Sequence, residues 1–125
     1  MTPKKKILIV EDRAEIRKLV LMALNHSPYE LHEATNGEAG LSLAQTLHPD
    51  LVLLDVMMPG NLDGFGVCQA IKNDPQLSDI RVVMVTALAQ ESDLAKGRAA
   101  GADDYLVKPF TIFGLQATIR KFLDM

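Results

Sequence analysis

Tryptophan is absent, aromatic residues make up only 5% of the 125-residue chain, and there is a single cysteine. With Cys68 alone no internal disulfide can form, and without a Cys/His cluster a structural zinc site is not expected. No apolar stretch approaches the length of a membrane span, and Met1 to Lys6 lacks the apolar core of a secretory signal. Neither charge dominates: 13 basic residues against 16 acidic ones leave a net charge of -3, and no Lys/Arg run exceeds Lys4-Lys5-Lys6. That balance does not suit a nucleic-acid footprint. Glycine-rich nucleotide loops of the GxGxxG or GxxxxGK(S/T) kind are missing as well. What is present is 48% hydrophobic and 23% charged residues, a globular composition with enough chain for one core. The expectation is a soluble cytoplasmic protein forming a single domain over residues 1–125, with no direct nucleic-acid or membrane contact.

Two kinds of segment alternate along it. Lys6 to Val10 is a short β-branched run, and Ile16, Leu19, Val20, Ala23 and Leu24 then recur at helical spacing until Asn25 and Pro28. Tyr29 to Ala34 suits an outer strand. Asn36 can cap a helix carrying Leu41, Ala44 and Leu47, which His48-Pro49 ends. Leu51 to Leu54 is a buried strand, and Asp63 can cap a helix with Val67, Ala70 and Ile71 inward. Ile80 to Val85 is the fourth strand, followed by a helix around Ser92 to Ala100 that Gly101 terminates. Tyr105 to Val107 is a last short strand before a helix capped by Thr111, with Ile112, Leu115, Ile119 and Phe122 on one face. Strand and helix thus alternate five times. Apolar runs without alternation fit parallel strands covered on both faces, so a doubly wound α/β fold is expected.

The chemistry gathers where those strands end. In "LVLLDVMMPG" an apolar run leads straight into a carboxylate, Asp55, which is costly in a core without a partner. Ligand sites in such sheets lie beyond the carboxyl ends of the strands, where strand order reverses. The first strand leaves Glu11 and Asp12 there, the third Asp55, the fourth Thr86, and the fifth Lys108 followed by Pro109. If the first and third strands are neighbours, three acids converge. Two like charges ~4 Å apart repel by about 4 kcal/mol at an effective dielectric of 20. A lysine relieves part of that, and a divalent cation with oxygen ligands, such as Mg²⁺, relieves more. A hydroxyl from Thr86 and the Lys108 ammonium would complete a cradle for a phosphoryl group. The chemistry indicated is phosphoryl transfer to Asp55 as nucleophile. Taken singly, each residue has an ordinary alternative: a helix cap, a core threonine, a solvated lysine. Four strand ends agreeing on one constellation outweigh them.

These same residues carry a resemblance to the receiver domain of bacterial two-component response regulators, the CheY-like family. The matching stretches are "ILIVED", "PDLVLLDVMMPG", "VVMVTAL" and "GADDYLVKPF". The resemblance implies a flavodoxin-like three-layer sandwich, a five-stranded parallel sheet in order 2-1-3-4-5 with five helices. It implies that Asp55 accepts a phosphoryl group from a histidine kinase or phosphotransfer protein. Asp12, Asp55 and the Met57 backbone carbonyl would ligate Mg²⁺, with Glu11 acting through water and Lys108 pairing with Asp55 or the phosphoryl group. Thr86 and Tyr105 correspond to the switch pair, and the Lys108–Pro109 peptide is expected to be cis.

Three departures stand out. "PGNLDG" holds one residue more than the common pattern, so Asn61 and Leu62 enlarge the loop beside the phosphoacceptor. Met57 and Leu88, two residues after Asp55 and Thr86, are apolar, which would hinder attacking water and prolong a phosphoaspartate. In the last helix Gly114 and Thr118 replace charges tied to the dimer of the DNA-binding branch, so a monomer or a weak phosphorylation-dependent dimer is expected. Lys96, Arg98, Tyr105, Arg120 and Lys121 form the candidate surface for a downstream protein. His26, His32 and His48 share no metal-ligand spacing, and Cys68 suits core packing.

Two rivals remain. A dehalogenase-like phosphatase would want a second acid where Met57 stands, and a phosphorylation-independent binding module would not need the full acidic, hydroxyl and lysine set. Within the receiver reading, the start Met1-Thr2-Pro3 favours a stand-alone regulator. A phosphorelay intermediate, or a receiver from a larger response regulator or hybrid kinase, stays open.

Overall fold

The structure, a computed structural model, describes residues 4–25, 28–87 and 90–123. Along them run β1 (Lys6–Val10), α1 (Ala14–Leu24), β2 (Glu30–Ala34), α2 (Gly37–Leu47), β3 (Leu51–Asp55), α3 (Gly64–Asn73), β4 (Arg81–Thr86), α4 (Glu91–Ala100), β5 (Asp104–Val107) and α5 (Ile112–Leu123). All paired strands are parallel and lie in the order β2-β1-β3-β4-β5. The doubly wound, CheY-like arrangement expected from the sequence is the one found. No helix of the described residues is long and apolar enough to cross a membrane.

Because successive strand residues point to opposite faces, the apolar runs serve two cores at once. Leu8, Val10, Val52, Leu54, Val82 and Met84 pack with Ala44 of α2 and with Val67, Cys68 and Ile71 of α3. Ile7, Ile9, Leu51, Leu53, Val83 and Val85 face the other way, against Val20 and Leu24 of α1 and Leu115 and Ile119 of α5. The helix starts follow their side chains. Asn36 Oδ1 accepts from the Ala39 N–H at 2.8 Å, Asp63 Oδ1 from Gly66 at 2.9 Å, and Thr111 Oγ1 from Gly114 at 2.9 Å. Gly101 closes α4 with φ 97, a left-handed cap.

Some sequence expectations shift. Leu19 and Ile112, expected to face inward, are 40% and 44% exposed. Leu19 is one helical step of about 100° round from Val20, outside the buried stripe, and Ile112 opens α5 three residues before the first buried position, Leu115. Strand β4 begins after Ile80, not at it: Ile80 is buried, but its N–H closes a turn onto the Leu77 carbonyl at 3.0 Å. At their far ends β3 includes Asp55 and β4 includes Thr86, so both polar groups are held by ladder backbone.

The insertion before α3 is tightly seated. Asn61 N–H donates to Glu38 Oε1 at 3.2 Å, and Leu62 is half-buried against the α2–α3 side of the core. A Cβ at Gly37 would run into the Leu62 carbonyl, and one at Gly66 would stand 2.7 Å from Leu62 Cδ1. Two glycines therefore make the room that the longer loop needs.

Candidate functional site

Chain order reverses between β1 and β3, and their register sets Val10 beside Leu54. One step further, Glu11 and Asp55 come side by side at the strand ends, 3% and 5% exposed, with Asp12 half-buried beside them. One carboxylate oxygen from each of Glu11, Asp12 and Asp55 lies within 4.8 Å of the others. The loop after β1 is held by its backbone. Glu11 N–H donates to the Ala34 carbonyl at 3.0 Å, and Arg17 Nη1 reaches the carbonyls of Glu11 and Asp12 at 3.1 and 3.2 Å.

Lys108 enters from the other end of the chain. Its N–H extends the β4–β5 ladder by donating to the Thr86 carbonyl at 2.9 Å, and the following Lys108–Pro109 peptide is cis. Its Nζ donates to Glu11 Oε1 at 2.7 Å and to Asp55 Oδ1 at 3.2 Å. One ammonium thus serves two buried acids. Burial, then the hydrogen bond and charge of Glu11, push the Asp55 carboxyl up to about 7, with Lys108 pulling the other way. The site is short of positive charge. Three oxygen-donor side chains around such a deficit suit a hard divalent cation such as Mg²⁺.

Thr86 is 1% exposed at the end of β4, next to β3. Register pairs Met84 with Tyr105 and Thr86 with Val107, so Thr86 and Tyr105 share a sheet face as diagonal neighbours. The Tyr105 ring lies against α4 and its hydroxyl donates to the Asp93 carbonyl at 3.0 Å. Met57 is 65% exposed. It lines an open cleft of about 630 Å³ with Asp12, Pro59, Asp63, Phe65 and Lys96. Leu88 and His26 lie outside the described residues.

The four charged residues expected on one partner surface divide. Lys96 turns toward the cleft, its Nζ 4.7 Å from the centroid of the Phe65 ring. Arg98 reaches Glu91 at 3.4 Å, Lys121 reaches Asp104 at 3.1 Å, and Arg120 is exposed. His32 and His48 have separate acidic partners, Glu30 and Asp79. Cys68 is core, as expected, with its thiol pushed up to about 11 by burial. Sequence reading overlooked Glu38, Phe65 and Gly97. Only Gly97, a glycine in mid-helix, left a visible signal.

The family profile described as "Response regulator receiver domain" matches residues 7–120. "Probable transcriptional regulator ycf27" of Cyanophora paradoxa is 48% identical over 120 residues, which are 96% of this chain and 48% of that protein. "DNA-binding dual master transcriptional regulator RpaA" of Synechocystis sp. is 43% identical over 118 residues, again 48% of its length and 94% of this chain. The chain spans about half the length of these curated relatives. Among solved structures, a putative response regulator from Chloroflexus aurantiacus has a TM-score of 0.91 at 30% identity, covering 98% of this chain and 100% of that one. Chemotaxis protein CheY4 of Vibrio cholerae has a TM-score of 0.90 at 31% identity, covering 97% and 100%.

Proposed function

The chain belongs to the response regulator receiver family of two-component signalling, and on that premise we propose that it is a switch thrown by phosphorylation of Asp55. Receiver domains are signalling proteins rather than turnover enzymes. The observation that carries the reading is the buried Asp55, which shares the Lys108 ammonium with Glu11 and lies with Asp12 in one oxygen cluster.

Asp55 attacks the phosphorus of a phosphohistidine on a histidine kinase or phosphotransfer protein. A P–O bond to Asp55 forms, the P–N bond breaks, and the electron pair leaves with the imidazole. Glu11, Asp12, Asp55 and the Met57 carbonyl would hold Mg²⁺, which when bound neutralises charge on the phosphoryl oxygens. Lys108 can then exchange a carboxylate partner for a phosphoryl oxygen, and the Thr86 hydroxyl turns toward the same group. That movement changes the space beside Tyr105 on the shared face, and a downstream protein reads the altered surface. Lys96, Arg98, Tyr105, Arg120 and Lys121 supply candidate contacts for that reader. A relay step, in which Asp55 passes its phosphoryl group on to another histidine, uses the same atoms in reverse. The relatives are named as transcriptional regulators, one of them DNA-binding; residues 1–125, with their near-even charge, offer no basic footprint for such contacts.

Acetyl phosphate with Mg²⁺, followed by intact mass measurement, tests the reading. One added phosphoryl group that disappears in Asp55→Ala is the expected result. Continuous phosphate release without a retained adduct would instead indicate a phosphatase, and no reaction would indicate a binding module.

A further inference from the structure

Helix α4 is poorly equipped to hold on to the sheet. Among its residues the only buried one is Gly97, and a glycine in a helix interior is unfavourable unless something needs the missing side chain. Here the Tyr105 ring needs it. A Cβ on Gly97 would overlap Tyr105 Cε2 and stand 3.0 Å from Oη and 3.1 Å from Cζ. One turn earlier, the Asp93 carbonyl receives the Tyr105 hydroxyl at 3.0 Å. Ring and hydroxyl together occupy one turn of α4.

Two further fastenings of α4 among the described residues run to α3. Cys68 Sγ donates to the Ala100 carbonyl at 3.4 Å, and Lys96 Nζ stands over the Phe65 ring. At the C-terminal cap, Lys72 Cγ lies 2.8 Å from where a Gly101 Cβ would be. Tyr105 is thus a clamp between α4 and β5. It also sits diagonally across the register from Thr86 on the same sheet face.

We propose that Gly97 is a positioning residue, the socket that seats the Tyr105 ring, and that this seat ties α4 to the sheet until phosphorylation of Asp55 draws the ring away. The last clause rests on the switch reading above; the socket itself does not. When the ring leaves, α4 keeps its fastenings to α3 and loses this one to β5, so the surface a partner meets changes through α4.

Hydrogen exchange of the α4 amides in the unphosphorylated full chain tests the socket. Gly97→Ala should speed their exchange by about tenfold or more relative to wild type. In a Tyr105→Ala background the same substitution should give no further acceleration, since alanine is the better helix former once the ring is gone. Unchanged or slower exchange in Gly97→Ala, or equal acceleration in both backgrounds, overturns the socket. If Gly97→Ala does not fold, Tyr105→Ala alone decides: α4 must exchange faster than in wild type while α1 does not. Acetyl phosphate and Mg²⁺ then separate the two readings. An added phosphoryl group with no change in α4 exchange refutes the coupling, whereas no added phosphoryl group refutes the switch and leaves the socket standing on its cycle.

Discussion

Lys108 Nζ stands nearer to Glu11 than to Asp55, 2.7 Å from one carboxylate and 3.2 Å from the other. The buried acid proposed to attack phosphorus therefore has the longer half of a shared cation. Burial and the Glu11 carboxylate both favour the protonated form of Asp55, and Lys108 opposes them incompletely. Substituting Glu11→Gln removes a charge and a hydrogen-bond competitor and leaves Lys108 to Asp55. The Asp55 midpoint should fall by about one pH unit or more, read from the side-chain carboxyl carbon by NMR. A midpoint that stays near 7 would show that Glu11 does not raise it.

The same deficit sets a pH dependence. With its carboxyl raised from 3.8 to about 7, Asp55 binds a proton more tightly in the folded chain than in the unfolded one. Its contribution is therefore neutral below about pH 4, grows unfavourable as pH rises toward 7, and is fully unfavourable above that. The interval corresponds to about 4 kcal/mol as an upper figure. Asp55→Asn should be more stable than wild type at pH 8 without divalent cations, by about 2–4 kcal/mol. Urea unfolding followed by circular dichroism should show the gap closing by pH 4 and narrowing at pH 8 when Mg²⁺ is added. A gap independent of pH would refute the assignment.

Met57 offers an apolar, largely exposed side chain at the mouth of the cleft that Asp12 also lines. An amide there can hold and orient a water molecule, which a thioether does poorly. Met57→Asn is expected to shorten the lifetime of the phosphorylated protein on the order of tenfold, or about 1.4 kcal/mol of barrier. Intact mass followed over time after removal of donor measures it. A variant that keeps its phosphoryl group as long as wild type would mean that Met57 does not limit hydrolysis.

Gly37→Ala should be costly although alanine is the stronger helix former, because the added methyl meets the Leu62 carbonyl. Overpacking against backbone costs about 1–3 kcal/mol. The urea midpoint should drop with an unchanged slope. A neutral or stabilised variant would show that the enlarged loop gives way freely.

What could be read from the sequence was what depends on local pattern. Short continuous apolar runs and helical spacing located all ten elements, and Asn36, Asp63 and Thr111 announced the caps they make. The acids, the threonine and the lysine were legible because each follows or ends a strand. The face of a helix is periodic but its edges are not, so Leu19 and Ile112 fit the inward spacing and yet lie out. The sharing of Lys108 joins residues that no local pattern relates. Gly97 was invisible as a socket because what it contributes is a missing atom facing a ring eight residues away. Charge alone groups Lys96 with Arg98, whereas two residues of helix turn it by about 200°, toward Phe65.

The cation of this cluster lies 97 residues after Glu11 and 53 after Asp55. During synthesis, β1 and β3 leave the ribosome long before Lys108 does. Pairing them early would set two acids side by side without the Lys108 ammonium that bridges them in the folded chain. Electrostatics thus penalises a compact N-terminal half, and the penalty lifts once β5 arrives. The charge balance of the β1–β3 edge thus depends on the last strand of the sheet.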